Sequence, residues 1–137
     1  MARQKWILRS TTIWHRDKVL REAAKDRPSR SYEYVFMFAK DRHYFFNHKP
    51  LEEQDFDEDV WTILARPKTN GIDTAPYPDE VVKRCLDIGC PENGSILDPF
   101  AGSGTTLRVA IGSGRSAVGI DLNRDFCEYM VKELSRL

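Results

Sequence analysis

The chain has 137 residues, 41% of them hydrophobic and 31% charged, which suits one globular domain with a core of its own. No apolar run approaches the ~20 residues of a membrane span, and the opening MARQKWILRS is no secretory signal. The net charge of zero hides an asymmetry: residues 1–50 carry 12 Lys/Arg against 5 Asp/Glu (+7), and residues 51–137 carry 9 against 16 (−7).

In chain order, residues 6–16, WILRSTTIWHR, are rich in β-branched and aromatic side chains and predict a strand. Residues 17–30 begin with helix formers, and Pro28 limits any helix there to about Asp26. YEYVFMFAK, 32–40, is a nearly continuous apolar run and predicts a strand buried on both faces. The turn KDRH leads into HYFFN, read as a short strand that closes a hairpin with it. A basic half interleaved with Trp6, Trp14, Tyr32 and Tyr34 suits a polyanion such as DNA, and equally a solvated surface facing the acidic half.

Residues 49–60 form an acidic linker, VWTILA a short extended segment, and 66–78 a stretch dense in turn formers. Asp79 and Glu80 open a helix, DEVVKRCLDIG, that Gly89 can cap. PENG turns into the strand SILDPF. A helix follows over about 103–111, then the turn GSGR, the strand SAVGIDL and the helix DFCEYMVKEL. Residues 95–134 are thus a β-α-β-α unit with parallel strands.

A glycine loop that opens a helix at the carboxyl edge of a parallel sheet is a ligand site on general grounds. Gly102 and Gly104 allow close backbone approach and positive φ. A phosphate loop needs Gly-Lys-Ser/Thr, but Thr105 and Thr106 follow Gly104. A dinucleotide fingerprint wants a third small residue, where Leu107 stands. The remaining reading is a nucleoside cofactor without phosphate, with Asp98 placed to attract a cationic amino group. Asp121, 23 residues further on at the end of the next strand, can accept from both ribose hydroxyls. A structural alternative is that both acids cap helices or turns. Thr105 can donate at the helix N-terminus or serve as an ordinary cap.

LDPFAGSGTT followed by GIDLN resembles the S-adenosylmethionine-binding motifs of DNA amino-methyltransferases, which methylate adenine N6 or cytosine N4. The resemblance covers almost the whole chain: WILRSTTIWHR, KDRPSRSYEYVFMFAK and APYPDEVVKRCLDIGCPENGSILDPFAGSGTT look like consecutive segments of the β class. It implies an α/β, three-layer Rossmann-like methyltransferase fold and S-adenosylmethionine as cofactor. It implies cofactor contacts from Asp98, Pro99, Phe100, Gly102, Gly104, Thr105 and Asp121. The APYP segment, with Ala75 and Pro76, would lie against the methionine end. Arg27 and Arg30 are candidates for DNA phosphate, or for a surface or ion-pair role.

The family's catalytic Asp/Ser-Pro-Pro-Tyr segment has no counterpart, since the sequence contains no Pro-Pro. The Gly-Asp segment that usually precedes it is also absent. Where relatives often carry Asn-Pro-Met-Pro this chain has KVLREAA, and where they often have His-Glu it has Tyr32-Glu33. No catalytic residue is therefore assigned. His15, His43 and His48 show neither triad nor ligand spacing and read as structural or surface residues, so no metal is expected.

Cys85, Cys90 and Cys127, an odd number without a close-spaced pair, read as reduced thiols of a cytoplasmic protein. The expected organisation is one domain, incomplete on its N-terminal side. Residues 1–48 are substrate-side strands, 49–74 a short linker in place of a target-recognition region, and 75–137 the cofactor unit. Expected partners are DNA and either a second copy or a complementary methyltransferase fragment that brings the catalytic segment. The alternative is an inactive remnant or a cofactor- or DNA-binding module.

Overall fold

The computed structural model describes residues 5–17, 25–53, 59–64 and 77–137. The chain divides into two compact units, Met1–Ala65 and Arg66–Leu137. The helix anticipated before Asp26 lies largely outside the described residues, as do Ala75 and Pro76.

The first unit is built on a three-stranded sheet in the order β2-β1-β3, from β1 (Ile7–His15), β2 (Tyr32–Ala39) and β3 (Val60–Thr62). β1 pairs antiparallel with β2, from Ile7 opposite Ala39 to His15 opposite Tyr32, with an irregularity between Leu8 and Ser10. On its other side it pairs parallel with β3, Trp14 opposite Trp61. Thr12, Ala39, Trp61 and Ile63 are buried, and the Trp14 indole N–H donates to the Ile63 carbonyl at 3.1 Å.

Two expectations fail here. HYFFN, 43–47, forms no strand, and the antiparallel neighbour of β2 is β1. Its side chains are used locally instead. Tyr44 Oη accepts from Arg9 Nε at 2.9 Å, and Asn47 Oδ1 accepts from the Lys49 amide at 3.3 Å at the start of the five-residue helix α1 (Lys49–Glu53). Nor is β2 buried on both faces. Tyr34 and Phe36 are more than half exposed, and Tyr32, Tyr34, Phe36 and Phe38 form a run of ring contacts along one face.

The second unit contains α2 (Asp79–Gly89), β4 (Ser95–Asp98), α3 (Thr105–Gly112), β5 (Ser116–Gly119) and α4 (Arg124–Leu134). β4 and β5 are parallel and in register, Ser95 opposite Ser116 and Asp98 opposite Gly119. Parallel strands need a crossover, and α3 supplies it. Val82, Leu86, Cys90 and Ala110 are buried together, with Tyr77, Ile96, Val109 and Ala117 packed against them. Ala101, Leu107 and Met130 join α4 to the same layer. Along both strands the pleat turns Ile96 and Ala117 to the helices, while Leu97 and Val118 stay exposed on the opposite face.

Gly89 does not cap α2 as expected. It is the last helical residue, Cys90 follows with extended φ, and Gly89 is not among the positive-φ glycines. The helix end is closed from the side by Arg115. This buried guanidinium donates to the Cys90 carbonyl at 2.9 and 3.2 Å and to the Leu86 carbonyl at 3.3 Å. A cation on the last carbonyls of a helix satisfies their lone pairs and favours the helix dipole. Arg115→Ala should therefore lower stability by about 2–3 kcal/mol, the scale of lost charged hydrogen bonds, as read by denaturant unfolding.

Burial pushes the Cys85 thiol up from 9.0 to about 11. The folded chain holds this proton while the unfolded chain releases it, so the contribution is fully present below pH 9 and lost as pH rises towards 11. Melting temperature should accordingly fall over that interval, and Cys85→Ala should flatten that part of the profile. An unchanged slope in the variant would show that this thiol is not the titrating group.

Candidate cofactor site

At the carboxyl ends of β4 and β5 the hydrogen-bond ladder runs on past the strands. The Ile120 amide donates to the Asp98 carbonyl at 2.9 Å, and the Ala101 amide to the Ile120 carbonyl at 2.9 Å. The Gly102 amide then donates to Asp121 Oδ2 at 2.8 Å. The two loops that leave the strands are thereby stitched together, with one acid at the head of each. Asp98 Oδ1 accepts from the Phe100 amide at 3.0 Å, and Asp121 Oδ1 from the Asn123 amide at 2.8 Å. Both carboxylates keep acceptor capacity beyond these amides, since an ionised carboxylate offers about four lone-pair directions.

The loop needs its glycines for two different reasons. Gly104 has φ 85° and stands at the N-cap of α3; a Cβ there would lie 2.7 Å from Met130 Cγ. Gly102 has φ 53°, and a Cβ there would meet nothing within 4 Å. Its Cα therefore faces open space, while its amide is held by Asp121. Phe100 is 84% exposed, so its ring is open to a ligand or partner. Thr105 begins α3 and is buried.

Of the residues singled out from sequence, Pro99, Phe100, Gly102, Gly104 and Asp121 fall on this pair of loops, Asp98 ends β4 and Thr105 opens α3. Ala75 and Pro76 lie outside the described residues. Arg27 and Arg30 belong to the first unit, on an exposed segment, where the Arg30 carbonyl accepts from Arg16 Nη2 at 2.6 Å.

Sequence reasoning missed Tyr77 and Thr106. The Tyr77 hydroxyl lies 2.5 Å from Thr106 Oγ1 and 3.4 Å from Asp98 Oδ2. Burial raises the Tyr77 phenol above its ordinary value; the Thr106 hydrogen bond opposes this and the Asp98 charge adds to it. The phenol is a neutral donor throughout the neutral range. The signal was present in Tyr77 of the APYP segment, but only the fold shows which atom of α3 it meets. A second missed contact fixes the start of α2: Arg108 grips Asp79 with both terminal nitrogens, at 2.8 and 2.5 Å.

An acid that can take a cation, a second acid that can accept from hydroxyls, an open Cα at Gly102 and an exposed ring suit a neutral or cationic nucleoside. Phosphate would meet two carboxylates, which disfavours it.

The DNA methylase family model (N6/N4 methyltransferases) matches residues 1–133. The Type II methyltransferase M.SmaI of Serratia marcescens is 32% identical over 139 residues, covering 96% of this chain and 47% of its own length. Among solved structures, the cytosine-N4-specific PvuII DNA methyltransferase superposes with a TM-score of 0.76 at 14% identity, over 88% of this chain and 49% of that one. A putative DNA modification methylase from Thermus thermophilus, complexed with S-adenosyl-L-methionine, has a TM-score of 0.65 at 25% identity, over 96% of this chain and 54% of that one. The likeness shows the Rossmann-like methyltransferase fold, of which this chain covers part, and the chain spans about half the length of the relatives it matches. With all but its last few residues matched, the chain belongs to the N6/N4 DNA methylase family.

Proposed function

We propose that this chain is the S-adenosylmethionine-binding part of a DNA methyltransferase that modifies the exocyclic amine of adenine or cytosine. The observation that carries the reading is the stitched pair of loops, with Asp98 and Asp121 at the two strand ends and the Gly102 Cα open between them. Asp98 would receive the amino group of the methionine moiety and Asp121 the ribose hydroxyls. Phe100 would lie along the nucleoside, and the Gly102 backbone would permit its close approach. The cofactor, when bound, supplies an electrophilic methyl group on a sulfonium.

The target amine needs acceptors and a stacking aromatic to hold a base turned out of the duplex. No Asp/Ser-Pro-Pro-Tyr segment is present in this sequence to provide them, so a complementary segment or partner chain is assigned that task. Two observations support a partner: Leu97, Val118 and Ile120 are exposed in the second unit, and Tyr34 and Phe36 in the first. Apolar sheet faces of this kind are covered in stable assemblies. Arg27 and Arg30 are assigned to DNA phosphate.

Asp121→Ala should weaken binding of S-adenosylmethionine by about 1–3 kcal/mol, since it removes a charged acceptor. Calorimetric titration of parent and variant checks this, with circular dichroism to confirm equal helix content. Equal affinities would remove Asp121 from the site.

The purified chain should transfer no tritiated methyl group to duplex DNA by itself. Turnover should appear when a methyltransferase fragment carrying the Pro-Pro-Tyr segment is added. Cofactor binding without turnover in that mixture would favour a cofactor-holding module instead.

A further inference from the structure

We propose that Tyr77 is a positioning residue for Asp98. Its hydroxyl, hydrogen-bonded to Thr106 on α3 and facing Asp98 Oδ2, holds that carboxylate in the orientation that meets a ligand's amino group. The inference rests on the cofactor reading above and adds to it a residue that touches no cofactor itself.

The chemistry of the three groups sets the direction of the hydrogen bonds. An ionised carboxylate only accepts, whereas a phenol and an alcohol each carry one proton and can accept as well. The arrangement that satisfies both contacts has Thr106 donating to Tyr77 and Tyr77 donating to Asp98. In the reverse sense Tyr77 would spend its proton on Thr106 and leave oxygen facing oxygen at Asp98. Asp98 Oδ1 already accepts from the Phe100 amide at 3.0 Å. With Oδ2 engaged by Tyr77, rotation about the Cβ–Cγ bond is restrained from both sides. The remaining lone pairs are then aimed before the ligand arrives, which reduces the ordering cost of binding.

Tyr77 is itself held on both sides. It packs against the cluster of Val82, Leu86, Cys90 and Ala110. Two residues later in the chain, Asp79 is gripped by Arg108, which follows Thr106 by two residues on α3. Packing alone would be served by phenylalanine, and a half-buried hydroxyl is costly unless bonded. The hydroxyl therefore has a use that the ring does not. The neutral state of the phenol, maintained by burial, keeps its proton available to Asp98.

The test is calorimetric titration of the full chain with two probes. S-adenosylhomocysteine carries the amino-acid group, and 5′-deoxy-5′-methylthioadenosine lacks it. Tyr77→Phe should weaken the first by roughly three- to tenfold, the range of one hydrogen bond, and leave the second unchanged. Thr106→Val should act in the same way, and Thr106→Ser should restore parent affinity. Equal weakening of both probes would make Tyr77 merely structural and overturn the proposal, as would no weakening of either. Failure of the parent chain to bind either probe would overturn the cofactor reading itself, and this inference with it.

Discussion

The second unit depends on a short run of hydrogen bonds beyond the ends of its two parallel strands. The Ile120 amide reaches the Asp98 carbonyl, the Ala101 amide the Ile120 carbonyl, and the Gly102 amide the Asp121 carboxylate. Buried main-chain groups must be paired, and here the pairing of two loops with each other shapes the proposed site. It brings two carboxylates 23 positions apart in the chain to one edge. It also sets the left-handed Gly104 at the start of α3, where Met130 of α4 leaves no room for a side chain. The loop that follows Asp98 is therefore packed against α4.

Around that edge, charge and exposure point in one direction. Two carboxylates at one edge suit a ligand that brings an amino group and hydroxyls better than one that brings phosphate. Phe100 is exposed on the same loop, and the proposed reading gives its ring a nucleoside to lie along. Away from the edge, a two-stranded sheet is marginal by itself. α2 and α3 cover one face of it, while Leu97 and Val118 remain exposed on the other. A fold that uses helices on both faces of its sheet would cover these residues with chain not supplied by the described elements.

The strands and helices from Asp79 onward were legible because each carries its own punctuation: paired acids at the start of α2, an apolar strand before Asp98, a glycine loop, and a second apolar strand before Asp121. The composition of the loop also pointed to a nucleoside site without phosphate. What was not legible depended on distant partners. Nothing local marks Arg115 as the cap of α2, 25 residues from the Cys90 carbonyl it binds, so Gly89 drew the assignment instead. Tyr77 and Thr106 are 29 residues apart and meet only because α2 packs on α3. In the first unit, HYFFN has the composition of a strand, yet it forms none: Tyr44 is taken up by Arg9 and Asn47 by the start of α1, contacts that composition does not show. The aromatic run of β2 read as fully buried because composition reports apolarity and not which face is covered.

The most direct measurement of the cofactor site is a nuclear magnetic resonance titration of the labelled chain with S-adenosylhomocysteine. The amides of Phe100, Gly102 and Gly104 and those around Asp121 are predicted to shift together and saturate with one affinity, while residues of β2 stay unmoved. Saturable shifts located elsewhere, with those amides unchanged, would contradict the assignment of the site to these two loops.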